Sequence, residues 1–195
     1  MAKVKSALEI ALEKAGKIGE LSKEEKERIR EEQQVNTVLK EFYLGKLDSN
    51  GVWERLKGSA PTVLKNAQIN LIDSLGLGSI EEEFRPRKQA IVAIETLKAR
   101  PNTAVIESEL DAIATVQKEY QEMKKKLAED MRREIEQHPQ LRMQPVKTPD
   151  GRTVMQMALS VDEAVKARLS EYLEEHEEHY NREYFGLIQE LKAMI

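Results

Sequence analysis

His176 and His179 stand in the run Glu-Glu-His-Glu-Glu-His, the place in this chain where residue types and spacing come nearest to a metal site. Zincin helices put two histidines four apart on one face, with a catalytic glutamate between them. Here the spacing is three, and no third ligand is evident. Di-iron bundles need Glu-x-x-His on two helices, but Leu173 and His176 occupy the positions three before these histidines. The expectation is therefore no bound metal, with His176 buried in the apolar stripe of its helix. His138 sits beside a helix-breaking proline, and no Ser or Thr motif marks a nucleophile elbow. Cysteine is absent, which removes disulfides and thiolate-held metals or clusters. No catalytic residue and no cofactor are expected, so the sequence reads as a non-enzyme.

Two motifs touch phosphate or nucleic-acid chemistry and fall short of it. Gly76-Leu-Gly78-Ser79 lacks the Gly-Lys-Ser/Thr ending and the preceding strand of a phosphate loop. Arg85-Pro-Arg-Lys88 is a short basic cluster without interleaved aromatics for stacking bases, so a solvated helix start is expected. The net charge of −4 gives no general attraction to nucleic acid or anionic membrane.

The remaining candidate is a surface. Three of the seven methionines, Met143, Met155 and Met157, lie between residues 139 and 159, together with Leu141, Arg142, Lys147 and Arg152. Flexible thioethers suit adaptable binding surfaces, and the basic residues make this segment locally positive on an acidic protein. It reads as a partner-binding end. The alternative is that these side chains only cover the ends of neighbouring helices.

The elements that would position this segment are helical. Charged residues make up 34% of the chain, and 29 Glu stand against six Asp, a balance suited to long solvated helices. Residues 6 to 18 predict a short amphipathic helix through Leu8, Ala11, Leu12, Ala15 and Ile18. Ser22-Lys-Glu-Glu25 is a capping box that opens a helix to about Leu44, solvated first and docked through Val35, Val38, Leu39 and Phe42. Residues 52 to 57 form a helical turn with Trp53. Pro61 opens a helix with a broad apolar face that Gly76 should close as its C′ residue. Ser79-Ile-Glu-Glu82 reads as a second capping box on a segment that Pro86 divides. A helix through Ala90, Ile91, Ile94 and Leu97 comes next, closed by Pro101.

Residues 104 to 195 read as two long helices, capped at Asn102 or Thr103 and at Ser160, each roughly 50 Å long. Ile113, Val116, Tyr120, Met123 and Leu127 follow the coiled-coil period, answered by Val165, Leu169, Tyr172, His176, Tyr180, Leu187, Leu191 and Met194. Leu110 with Ile188, Ile113 with Phe185, Leu127 with Tyr172 and Met131 with Leu169 give a register whose numbers total 298 to 300. That register sets Lys124–Lys126 against Glu171–Glu178. Between the helices, Thr148-Pro-Asp-Gly151 predicts a turn and a small β-hairpin. The expected fold class is all-α: a small bundle over 1–100 and a long antiparallel, coiled-coil-like hairpin over 101–195, with its tip at 139–159.

The opening Lys5-Ser-Ala-Leu-Glu-Ile-Ala-Leu-Glu-Lys14, with the later long helices, resembles a family of uncharacterised bacterial helical proteins. That resemblance implies no activity. Two long helices joined by a β element are also similar in outline to prefoldin-type chaperone subunits, although the first hundred residues have no place in that pattern. The function expected is a non-catalytic interaction, scaffold or adaptor protein with a protein partner, working as a homodimer in the cytoplasm, since no signal peptide and no membrane-length apolar run is visible. A holdase-like chaperone gripping clients with the tip methionines, and a ribosome-associated factor resting its basic tip on RNA, are the alternatives.

Overall fold

The computed structural model describes residues 22–147, 149, 151–157 and 159–195. The helix expected over 6 to 18 and the opening Lys5–Lys14 lie outside the described residues. What is described is all-α apart from one two-stranded antiparallel ribbon.

Helix α1 (Lys23–Tyr43) starts on the indicated capping box: Ser22 Oγ accepts from the Glu25 N–H at 3.1 Å, and the Glu25 carboxylate accepts from the Ser22 N–H at 2.7 Å. Its first half is solvated, and Val35, Val38, Leu39 and Phe42 bury the second. Helix α2 (Ser49–Leu56) is capped by Asp48, buries Val52 and Leu56, and lets Trp53 Nε1 donate to Thr96 Oγ1 at 3.1 Å. Helix α3 (Pro61–Asp73) has its proline in the first turn, where no donor is missed. Helix α4 spans Glu81–Glu95.

Three local expectations are corrected here. Ser79 does not cap α4, because its Oγ accepts from the Gly76 N–H at 3.2 Å and closes the preceding loop, leaving Ile80 at the cap position. Gly76 is not a left-handed C′ residue; α3 ends at Ser74, and the positive φ angles are at Gly45, Gly58 and Gly151. Pro86 does not divide its segment. It costs one backbone bond on an exposed face, while Phe84 on one side and Ala90, Ile91 and Ile94 on the other bury both halves in the same core.

Helices α5 (Thr103–Gln137) and α6 (Val161–Met194) form the hairpin, each about 50 Å long at 1.5 Å per residue. The main core gathers residues from α1 to α4 and also takes in the hairpin's base: Ile106, Leu110 and Ile113 of α5, Ile188 and Leu191 of α6. The hairpin therefore grows out of the bundle's core. At its far end Met131, Ile135, Ala164 and Val165 make a small separate core.

One buried polar joint sets where α5 begins. Glu95 at the end of α4 is 1% exposed; it accepts from Gln68 Nε2 of α3 at 2.9 Å, from Lys98 Nζ at 2.7 Å and from the Asn102 backbone N–H at 2.9 Å. Asn102 holds the N-cap position of α5 but makes no side-chain cap; its backbone is tied to Glu95 instead. Burial alone would raise the Glu95 pKa, and the three donors outweigh it and hold the carboxyl below its ordinary range.

The antiparallel register is confirmed at several points. Leu110 and Ile188 share the main core, Met131 and Leu169 the distal one. Tyr120 stacks 5.6 Å from Tyr180 and donates to the Glu177 carboxylate. The α6 stripe differs from the expected one. His176 is exposed, with Nδ1 3.0 Å from the Tyr172 carbonyl, and so is not a core residue. Tyr172 is 50% and Phe185 63% exposed, so neither faces Leu127 or Ile113 in the seam. The seam runs through Leu169, Leu173, Glu177, Tyr180 and Tyr184, none of them exposed. Among the described side chains, Tyr120 rather than a lysine meets the acidic stretch of α6, and Lys124 Nζ lies 5.1 Å over the Tyr120 ring.

Candidate functional site

The chain leaves α5 at Gln137, where His138-Pro139 stops the helix, and makes a 3-10 turn over Pro139–Arg142. Strands β1 (Met143–Lys147) and β2 (Thr153–Met157) follow, joined by a loop in which Gly151 takes φ +82°. Only glycine enters that region without steric cost. Ser160 then caps α6 through a capping box with Glu163.

The sequence-predicted tip residues divide into two groups. Leu141 and Arg142 close the hairpin. Leu141 packs with Leu159 and Val161 against Met131, Ile135, Ala164 and Val165, and Arg142 Nε donates to the Leu159 carbonyl at 2.9 Å while its own carbonyl accepts from the Leu159 N–H. These two residues cover the helix ends and have a structural role. Among the described residues, none of the ribbon beyond them joins an apolar core. Met143 is 38%, Val154 43% and Met155 57% exposed, and Lys147 and Arg152 lie on the surface. Met157 pairs with Met143 in the ladder, and Pro145 pairs with Met155.

Side chains alternate faces along a strand. Met143, Pro145 and Met155 thus share one face with Lys147 and Thr153, and Val146 and Val154 share the other with Gln144 and Gln156. Burial of all but the Val146 position is slight along β1, and Thr153 to Gln156 of β2 are exposed throughout. Sequence reasoning passes over Val146 and Val154 as ribbon surface, although the alternation on either side of Pro-Asp-Gly carries the signal.

Two motifs set aside in the sequence meet in one groove. Ser79, Ile80, Phe84, Arg85 and Lys88 from one side, and Asp111, Ala114, Thr115 and Lys118 from α5, line a cavity of about 730 Å³. Several of its polar groups are spent on structure. Lys88 is paired with Asp111, and the amides of Gln117 and Gln121 donate to the carbonyls of Gly76 at 2.7 Å and Gly78 at 2.9 Å. They hold the loop that crosses from α3 to α4.

The histidines do not assemble a ligand set. His176 and His179 point to solvent, His179 pairing loosely with Glu183 at 3.9 Å on the same helix. Among the described residues, no three of His, Cys, Asp and Glu are grouped to hold a metal ion. Tyr120 has its pKa pushed up to about 12, first by burial and then by the Glu177 carboxylate it hydrogen-bonds; Tyr184 is raised to about 12 by burial. Both phenols are packing residues of the seam.

A family model described as a family of unknown function, DUF6657, matches residues 52–195, and the chain belongs to that family. The match covers α3 to α6 and the ribbon whole, and lies outside the opening Lys5–Lys14 that carried the sequence resemblance. No curated protein and no solved structure matches the chain.

Proposed function

We propose that this member of DUF6657 is a non-catalytic interaction or adaptor protein of the cytoplasm, whose hairpin presents the Met143–Met157 ribbon to a protein partner. One observation carries the reading: the hairpin's end is already sealed by Leu141 and Leu159, yet the chain continues into a ribbon with both faces in water. Two isolated strands are marginal in water without a covering layer, and the ribbon's methionines, proline and valines are the composition of a surface that is covered in use. Gln121 is still bonded to the loop before α4, and the stretch of α5 from there to Gln137 holds that surface about 24 Å beyond the bundle. The half-buried middle of the hairpin, at Met123, Leu127, Leu169 and Leu173, favours a homodimer in which a second hairpin lies alongside.

The test is affinity purification from the native host with the full-length protein and with Met143→Asp/Met155→Asp. The expected result is a specific protein recovered with the parent and lost with the variant, at unchanged helicity and melting temperature. Recovery of the same proteins with both would overturn the reading.

A further inference from the structure

We infer that the partner adds to the ribbon as a third strand, pairing with the outer edge of β2, and that it is an extended segment of another protein alternating apolar and acidic residues. This rests on the reading of the ribbon as the partner-binding surface.

The edge is identified by Pro145. In an antiparallel ladder, opposed residues alternate between pairs that exchange both backbone hydrogen bonds and pairs whose N–H and C=O groups point outward. Pro145 has no N–H, so the Pro145–Met155 pair cannot be of the first kind. The exchanging pairs are Gln144–Gln156 and Val146–Val154. Outward groups then belong to Met143, Pro145 and Lys147 on β1, and to Thr153, Met155 and Met157 on β2. The two edges differ. On β1 the Met143 N–H is already given to the Gln140 carbonyl and Pro145 offers none, so Lys147 alone can donate. On β2 the full set of outward N–H groups is present, and among the described residues none of them has a backbone partner. β1 is blunted in the way natural edge strands are, and β2 is open.

Charge selects the occupant. Residues 141–157 carry Arg142, Lys147 and Arg152 against Asp150, a local excess of positive charge on a chain of net −4. A second copy would bring the same positive ribbon edge to edge. An incoming strand on β2 lays one set of alternate side chains on the face of Met155, which calls for apolar residues there. Its remaining residues lie on the opposite face, where the net positive charge of the segment calls for acids. Strand addition of this kind draws affinity from main-chain bonds and specificity from the flanking side chains.

The discriminating substitution is Met155→Pro. It removes one outward donor from β2 and leaves the exchanging pairs untouched, mirroring what Pro145 does on β1. The probe is a fluorescein-labelled peptide Glu-Val-Glu-Val-Glu-Val-Glu, followed by anisotropy with the full-length protein, alongside Lys-Val-Lys-Val-Lys-Val-Lys. Saturable binding of the glutamate peptide, at least tenfold weaker for the lysine peptide and for Met155→Pro but within twofold for Met155→Leu, is the expected result. Equal binding to Met155→Pro and parent overturns edge pairing, and so does absence of glutamate-peptide binding. Self-association of the parent, lost in Met155→Pro, would assign the edge to a second copy and overturn the inference; so would binding of an RNA oligonucleotide lost on Lys147→Glu. In the host purification, a partner kept by Met155→Pro but lost by Met143→Asp/Met155→Asp would leave the tip reading standing and remove the strand. A partner kept by both variants would remove both.

Discussion

The two ends of the hairpin are built from the same pair of helices and are held in different ways. At the base, Ile106, Leu110, Ile113, Ile188 and Leu191 sit in a core shared with four other helices, and a buried carboxylate ties the start of α5 to α3 and α4. At the far end, Met131, Ile135, Ala164 and Val165 have only each other, the half-buried residues around them and the cover of Leu141 and Leu159. One end is fixed by many neighbours of distant sequence, the other by two helices and a turn. Local stability follows the density of buried apolar contact, so the base belongs to the global folding unit while the tip opens at lower cost. The surface proposed to accept a partner is placed where opening is cheap.

Matched truncations would break this comparison most directly. Leu110→Ala and Ile135→Ala each remove a fully buried side chain, a change worth about 2–5 kcal/mol. Leu110→Ala should lower the global melting transition by that amount. Ile135→Ala should leave the main transition nearly in place and instead speed amide hydrogen exchange in residues 124–142 and 159–172. If both variants lower the same single transition equally, the two ends are one cooperative unit and the comparison fails.

A smaller effect is expected at the polar joint. Glu95→Ala leaves Gln68, Lys98 and the Asn102 N–H without their common acceptor, at about 3 kcal/mol. Because the folded carboxyl lies below its ordinary value of 4.5, its contribution is present above that pH and fades as pH falls through the folded value. The parent should therefore lose stability on acidification below about pH 4.5 by more than Glu95→Ala does; parallel pH profiles of denaturant midpoint would rule this out.

The smallest effect is expected midway along the hairpin. Tyr120→Phe removes the hydrogen bond to Glu177 and should cost about 1 kcal/mol. With the folded phenol raised to about 12, its protonated form is favoured by folding, so that stability is full below pH 10 and falls between 10 and 12. Tyr184 contributes to the same alkaline loss, so Tyr120→Phe should reduce it without abolishing it. An unaltered alkaline melting profile in Tyr120→Phe would remove Tyr120 from this account.

The helices, the two outer capping boxes, the hairpin's register and the ribbon are readable from the chain because each rests on local chemistry: a serine three before a glutamate, apolar residues at helical spacing, Pro-Asp-Gly between alternating strands. The course of the α6 stripe is not. A glutamate, Glu177, occupies a seam position because Tyr120 hydrogen-bonds it there, and a search for apolar residues steps around it onto Tyr172 and His176. The same blindness hides the joint at Glu95 and Gln68, two polar residues fully enclosed by helices distant in sequence. Gln68 lies four residues after Leu64 and four before Ile72, on the face that those leucine and isoleucine positions mark as internal. Polarity at such a position is the trace a buried network leaves. For the candidate site, residue types point to the segment, but only the structure separates Leu141 and Arg142, which seal the helices, from Met143, Val154 and Met155, which stay exposed.

Glu95 also has a mechanical meaning. It sits at the pivot of a rod about 50 Å long, and on such a lever each degree of tilt carries the far end sideways by about 0.9 Å. Its bond to the Asn102 N–H is one of the contacts that hold the start of that rod, so a small shift at this carboxylate is magnified at the ribbon.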